Sequence, residues 1–299
     1  MNPKLKILIV GGSGIIGYKL VKFFLKQDYD VCYTYNKNII RDSNSVFFDI
    51  TDDLSSEIIF NKFNPDIVIH CAALTNVDLC ETNHNLADKI NIKGTSNIVN
   101  ACKKNNSKIV FVSTSYVFAG KKNIYYEDDE TSGTTYYGYT KIKGEELVKN
   151  SDLEYLILRT DQPYGWTETW QKSNSVLNVI NELKLNKNKN EIEDWFNTPT
   201  YLEDFTLATY TLIKKQSTGI FHLVGPDFIN RFEWSKIIAD VFNFDKNKLK
   251  PILSSSLNLP AKRGHVRINN EKLEKETGII MKGVKLGVGD MLKNYKPIS

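Results

Sequence analysis

Short apolar runs alternate with amphipathic stretches through the first half of the chain. Leu5–Val10, Val31–Tyr35, Val46–Phe48, Ile67–Cys71, Ile109–Ser113 and Tyr155–Leu158 read as strands. Apolar residues spaced three and four apart predict helices over Ile15–Lys26, Ser55–Phe63, Leu86–Lys104 and Tyr136–Lys149. Strands and helices in strict alternation predict an α/β fold, a doubly wound and mostly parallel sheet with right-handed crossovers. After Arg159 the alternation fails, and residues 161–218 become rich in Asn, Lys, Trp and Tyr, with helices expected near Asn174–Leu185 and Leu202–Lys214. Ile220–Val224 reads as a buried strand returning to the sheet, and helices are expected over Trp234–Phe242 and Glu271–Glu276. The expected organisation is a first domain over 1–160, rejoined by a strand at 219–224, and a smaller C-terminal substrate-binding lobe over 161–299.

The first strand runs into Gly11-Gly12-Ser13-Gly14-Ile15-Ile16-Gly17 and then a helical pattern. Gly12, Gly14 and Gly17 fit G-x-G-x-x-G, and Gly11, Gly14 and Gly17 fit the G-x-x-G-x-x-G variant. Strand, glycine turn and helix in this order open a dinucleotide-binding Rossmann fold. The glycines let a pyrophosphate approach the helix N-terminus, whose N–H groups and dipole favour an anion. Ligands of such sheets bind at the carboxyl ends of the strands. Gly11, Asp49, Ala72-Ala73 and Ser113-Thr114 all fall at such ends.

Tyr137 and Lys141 lie four apart in a predicted helix, on one face and one turn from each other. An ammonium near a phenol favours the phenolate and lowers its pKa from about 10. Tyr137 is thereby a candidate general acid for a carbonyl under reduction, or a base in the reverse direction. Ser113-Thr114-Ser115, at the end of the fifth predicted strand, offers a hydroxyl to the same carbonyl oxygen.

Composition narrows the alternatives. The 299 residues carry a net charge of only +4, spread along the chain, which does not favour nucleic acid as a partner. The first apolar run is too short to span a bilayer or to act as a signal peptide, so a cytoplasmic protein without a membrane segment is expected. Cys32, Cys71, Cys80 and Cys102 show no C-x-x-C spacing and read as reduced thiols. The four histidines are scattered, and no metal site is expected.

Taken together, these stretches resemble the extended short-chain dehydrogenase/reductase family, and within it the dTDP-4-dehydrorhamnose reductase group. Carrying the resemblance are Gly11–Gly17, the run Pro65–Asp78, Asn91-Ile92-Lys93-Gly94-Thr95, Ser113–Gly120, and Tyr137 to Lys141 with Gly144-Glu145. Looser echoes are Leu158-Arg159-Thr160, Pro199-Thr200 and Gly219–His222. The resemblance implies that Thr114, Tyr137 and Lys141 form the catalytic set for reduction of a nucleotide-linked 4-keto-6-deoxy sugar. Tyr137 would protonate the C4 oxygen, Thr114 would orient the carbonyl, and Lys141 would also bind the nicotinamide ribose. It implies a cofactor site of Gly11, Ser13, Gly14, Ile15, Ile16 and Gly17, with Asp49 and Ile50 beside the adenine and Cys71, Ala72 and Ala73 along the pyrophosphate and ribose. Asn91 matches the family's helix asparagine. A substrate site is expected from Thr75, Asn76, Thr114, Ser115, Tyr116, Tyr164, Trp166 and Asn174, with Arg263 toward the diphosphate. The partner expected is the nucleotide-sugar substrate, and a homodimer is open.

Charge bears on the cofactor. NAD sites place an acid near the end of the second strand, whereas a 2′-phosphate needs cations there. Asn36, Lys37 and Arg41 occupy that end without an acid, which favours NADPH, with NADH as the alternative. The substrate end departs from the family pattern. Asp161-Gln162-Pro163-Tyr164-Gly165 stands where the group has Ser-Trp-Val-Tyr-Gly, and Gln162 replaces the tryptophan, with Trp166 a candidate substitute on a different register. Asp194 to Thr200 likewise alters an Asp-Gln-x-Gly-x-Pro-Thr run. The alternatives are a sugar-nucleotide epimerase or dehydratase of the same fold, or a non-catalytic regulatory subunit resembling that of methionine adenosyltransferase. Thr114-Ser115-Tyr116 lacks the Asp-Glu pair of the dehydratases.

Overall fold

The computed structural model describes residues 4–38, 40 and 42–295. Seven parallel strands form the central sheet: β1 (Lys6–Val10), β2 (Asp30–Tyr35), β3 (Ser45–Phe47), β4 (Ile67–His70), β5 (Lys108–Thr114), β6 (Tyr155–Thr160) and β7 (Gly219–His222). Their order, β7-β6-β5-β4-β1-β2-β3, reverses between β1 and β4, so a crevice opens at the carboxyl ends of those two strands. The sheet is buried on both sides, as parallel sheets are. Ile7 and Ile9 pack into one core with Leu20, Phe24, Phe205 and Leu212, while Leu8 and Val10 pack into the other with Ile98, Cys102 and Phe111.

Six helices come close to their expected ranges: Ile15–Phe24, Asp53–Phe63, Tyr136–Lys149, Ser175–Lys184, Leu202–Lys214 and Glu271–Thr277. The single helix expected over Leu86–Lys104 is instead a helix at His84–Ala87, a π-helical turn at Asp88–Lys93 and a helix at Gly94–Asn105. A short helix at Val77–Thr82 precedes them, begun by Asn76, whose Oδ1 accepts the Leu79 N–H. Helix Arg231–Val241 starts three residues before its expected first turn because Asn230 caps it, accepting the Glu233 N–H at 2.7 Å.

Helix Leu202–Lys214, although in the C-terminal half, lies on the main sheet, where Phe205, Ala208 and Leu212 join the core. A separate core gathers helices Ser175–Lys184, Arg231–Val241 and Val284–Lys293 around Tyr164, Tyr201 and Trp234. Short strand pairs, Pro163–Tyr164 with Thr200–Tyr201, Phe196–Asn197 with Ile229–Asn230, and Lys189–Ile192 with Leu249–Ile252, stitch this region together. All four cysteines are free, and no described helix is long and apolar enough to cross a membrane.

Candidate active site

The glycine turn closes against the end of β4. Gly11 adopts φ +79° and donates its N–H to Thr34 Oγ1 at 3.0 Å. A Cβ there would stand 2.7 Å from the Ala72 amide nitrogen, and one on Gly17 would stand 2.3 Å from the Gly11 carbonyl oxygen. Neither position admits a larger residue. Gly14 starts helix Ile15–Phe24 in extended geometry without a side-chain cap. The half-buried Ile15 and Ile16 open that helix, and buried Ser13 has its carbonyl tied to Gln171 Nε2 at 3.1 Å. Cys71, Ala72 and Ala73 follow β4 alongside, with the Cys71 N–H on the Val10 carbonyl at 2.8 Å.

Asn36 and Lys37 are exposed at the end of β2, and Arg41 lies outside the described residues. The nearest following acid, Asp42, accepts the Tyr33 hydroxyl. Asp49 turns its carboxylate onto the Thr51 N–H at 2.9 Å, and the buried Ile50 offers its carbonyl to Asn97 Nδ2 at 2.9 Å. Gly11 and Ala72 thus face each other at the carboxyl ends of β1 and β4, where the strand order reverses.

On the other side of the crevice, Thr114 ends β5 and caps the turn Ser115–Val117, its Oγ1 accepting the Tyr116 N–H at 3.3 Å. Thr135 caps helix Tyr136–Lys149 through the Gly138 N–H at 3.0 Å, which brings Tyr137 beside that turn. The Tyr116 and Tyr137 rings meet edge-on at 5.8 Å. Tyr137 is buried, and burial pushes its phenol above the usual range, with Cys80 adding to the rise and Thr114 opposing it.

Lys141 is also buried, donates to the Val112 carbonyl at 2.7 Å and sits 3.9 Å over the Phe111 ring. Burial pulls it down to about 7, against the upward pull of Glu145 and Cys71. This corrects the expectation that Lys141 lowers the Tyr137 pKa. Its ammonium faces Val112 and Phe111, and desolvation dominates the phenol.

Asn91 links the two sides. From the π-helical turn its Oδ1 accepts the Leu74 N–H at 2.7 Å, while Nδ2 donates to the Leu74 carbonyl at 3.1 Å and to Thr140 Oγ1 at 3.0 Å. The loop after β4 is thus fixed to the residue preceding Lys141. π-turns of this kind are frequent at functional sites.

Several expected substrate residues have other work. Asn76 and Asn174 are helix caps; Asn174 Oδ1 accepts the Val176 and Leu177 N–H groups and its Nδ2 donates to the Gly165 carbonyl at 2.7 Å. Tyr164 is fully buried against Tyr201 and Trp234. Trp166 donates to the Met291 carbonyl at 2.8 Å and packs on Tyr295, so it does not replace the missing tryptophan at the site. Arg263 pairs with Asp78 at 2.6 Å and lies over the Trp195 ring, so its guanidinium is engaged rather than open to a phosphate. Thr75 is exposed beyond β4, while Ser115 is buried and Tyr116 partly buried beside Tyr137.

One residue of this region was given no role from sequence. Asp161, at the end of β6, is 2% exposed, and its Oδ2 accepts the Thr198 N–H at 2.8 Å. The signal was present, because Asp161 opens the run that departs from the family pattern. Among the described residues, no group of three His, Cys, Asp or Glu side chains could hold a metal ion.

The RmlD substrate binding domain family matches residues 5–296. Methionine adenosyltransferase 2 subunit beta of Mus musculus is 26% identical over 281 residues, covering 91% of this chain and 82% of the mouse protein. A dTDP-4-dehydrorhamnose reductase of Mycobacterium tuberculosis is 26% identical over 265 residues, covering 86% and 82%. Among solved structures, the dTDP-4-dehydrorhamnose reductase of Bacillus anthracis in complex with NADP superposes with a TM-score of 0.88 at 27% identity, over 98% of this chain and 100% of that one. The chain belongs to the RmlD substrate binding domain family.

Proposed function

We propose that this family member is an NADPH-dependent reductase of a nucleotide-linked 4-keto-6-deoxy sugar, with dTDP-4-dehydrorhamnose as the first candidate. The observation that carries the reading is that Thr114, Tyr137 and Lys141 are all buried around the carboxyl end of β5, with the Thr114 hydroxyl on Tyr137 and the Lys141 ammonium on the Val112 carbonyl. The Bacillus anthracis structure in complex with NADP supports the cofactor.

The residues present fit such a cofactor. Gly11 and Gly17 leave no volume for a side chain where a pyrophosphate must approach, and Gly14 leaves the helix end uncapped. Lys37 at the end of β2, without an adjacent acid, suits a 2′-phosphate, and NADH is the alternative. Asp49, Ile50 and Cys71 to Ala73 would flank the adenosine and ribose.

When bound, the reduced nicotinamide supplies a hydride to the carbonyl carbon. Tyr137 gives its phenolic proton to the carbonyl oxygen, so ketone plus hydride plus proton becomes a secondary alcohol. A phenol held above its usual pKa is in its acid form before the reaction, as reduction requires. Thr114 holds the carbonyl oxygen beside that phenol, and Lys141, one helical turn along, would bind the nicotinamide ribose. Burial of all three keeps bulk water from competing for the proton. The test is loss of NADPH absorbance against a panel of nucleotide-linked 4-keto sugars. Turnover with none of them would sink the reading.

The likeness to methionine adenosyltransferase 2 subunit beta supports a second reading, a non-catalytic regulatory subunit. A stoichiometric partner in a pull-down, with no turnover on the panel, would favour it.

A further inference from the structure

Asp161 is a buried carboxylate that the reduction chemistry does not use. Its Oδ2 is held by the Thr198 N–H at 2.8 Å and by Asn197 Nδ2 at 3.4 Å. Its Oδ1 is also buried and makes no hydrogen bond of ordinary geometry among the described residues, although the Ser115 hydroxyl faces the carboxylate closely enough to hold its pKa down. The groups around it come from four elements: Ser115 and Tyr116 from the turn after β5, Tyr137 from helix Tyr136–Lys149, Arg231 from the start of helix Arg231–Val241, and Asn197 and Thr198. Arg231 is the nearby cation, yet it makes no ion pair among the described residues and gives its NH2 to Gln162 Oε1. Gln162 accepts it from a left-handed backbone, φ +41°. Strain of this kind collects at functional sites.

If Asp161 served only to fix Thr198, one oxygen would suffice, and a serine or asparagine would do it without burying a charge. A buried acceptor left over beside the proposed proton donor needs another explanation. We propose that Asp161 is a specificity-determining residue of the substrate site, its free oxygen accepting a hydrogen bond from a hydroxyl on the sugar whose carbonyl Tyr137 protonates. The proposal rests on the reductase reading given above. The chemistry divides cleanly. A carbonyl oxygen needs donors, which Tyr137 and Thr114 supply, whereas a ring hydroxyl needs an acceptor, and an ionised carboxylate is acceptor only. Burial pushes the Asp161 carboxyl up to about 6, and in its ionised form its charge favours the acid form of Tyr137.

The experiment compares the wild-type protein with Asp161→Asn and Asp161→Ser by calorimetric titration. The probes are dTDP-rhamnose, dTDP-glucose and UDP-glucose, each against its free nucleotide, with NADPH titrated separately. The quantity read is the gain in affinity that the sugar adds to the nucleotide. That gain should fall about 10- to 100-fold in both variants, the worth of a hydrogen bond to a charged group, with NADPH and free-nucleotide affinities unchanged. Melting at pH 8 should be unchanged or raised in Asp161→Asn, because an unpaired buried charge is removed. A sugar gain kept in both variants would overturn the role of Asp161 while leaving the reductase reading in place. A large drop in melting temperature in both variants would make the carboxylate structural and overturn it too. Wild-type protein that binds NADPH but gains nothing from any sugar would overturn the reductase reading, and this inference with it.

Discussion

Glu145 and Arg159 form a two-point ion pair, Nε to Oε1 at 2.9 Å and NH2 to Oε2 at 2.7 Å, with both side chains 1% exposed. The pair lies one helical turn beyond Lys141 and joins helix Tyr136–Lys149 to β6. Ser113 adds a hydrogen bond to Glu145 at 2.6 Å, and Arg159 reaches the Glu127 carbonyl at 3.1 Å. The floor beneath the proposed catalytic residues is therefore a satisfied charge network. Glu145→Ala would leave a buried guanidinium uncompensated and should cost about 3–5 kcal/mol in denaturant unfolding. Replacing both partners with leucine should cost clearly less, because the orphaned charge goes with them.

Tyr137→Phe keeps the ring and its edge-on contact with Tyr116 while removing the proposed acid. NADPH binding should survive, and turnover should fall by about 10²–10⁴. Near-native turnover on the true substrate would reject the assignment.

The Lys141 ammonium, pulled to about 7 by burial, makes a pH prediction. In the unfolded chain its pKa returns to about 10.4, so the unfolded state binds more protons between those values. The wild-type protein should therefore gain stability from this group as pH rises from about 7 to 10. Lys141→Met lacks the group, so its melting temperature relative to wild type should be most favourable near pH 6 and decline by pH 9. The same variant should lose turnover and NADPH affinity. A pH-independent difference would place Lys141 in contact with water.

Lys37 is exposed, so its attraction for a 2′-phosphate is screened. Lys37→Glu should weaken NADPH only a few-fold, about 1 kcal/mol, and leave NADH nearly unchanged. Calorimetry with both cofactors reads the difference, and equal weakening of the two would remove the charge argument.

Features set by near neighbours in the chain could be read from the sequence. The β1 run, the glycine turn and the first helix are one local unit, and the Tyr137–Lys141 spacing is a property of any helix. Alternation of strands and helices carried the doubly wound sheet, including the return of Gly219–His222 to its edge. Tertiary packing decided the rest. Asn76 and Asn174 look like ligand-binding amides in sequence, but unpaired N–H groups at helix starts claim them. Tyr164 and Trp166 follow β6 as binding aromatics would, yet a second core buried the Tyr164 ring and packed Trp166 against its edge. Arg263 met Asp78, 185 residues away. Asp161 drew attention only as a departure from a family pattern. Thr198, Ser115 and Arg231 reach its carboxylate from three distant segments, and no local periodicity records that convergence.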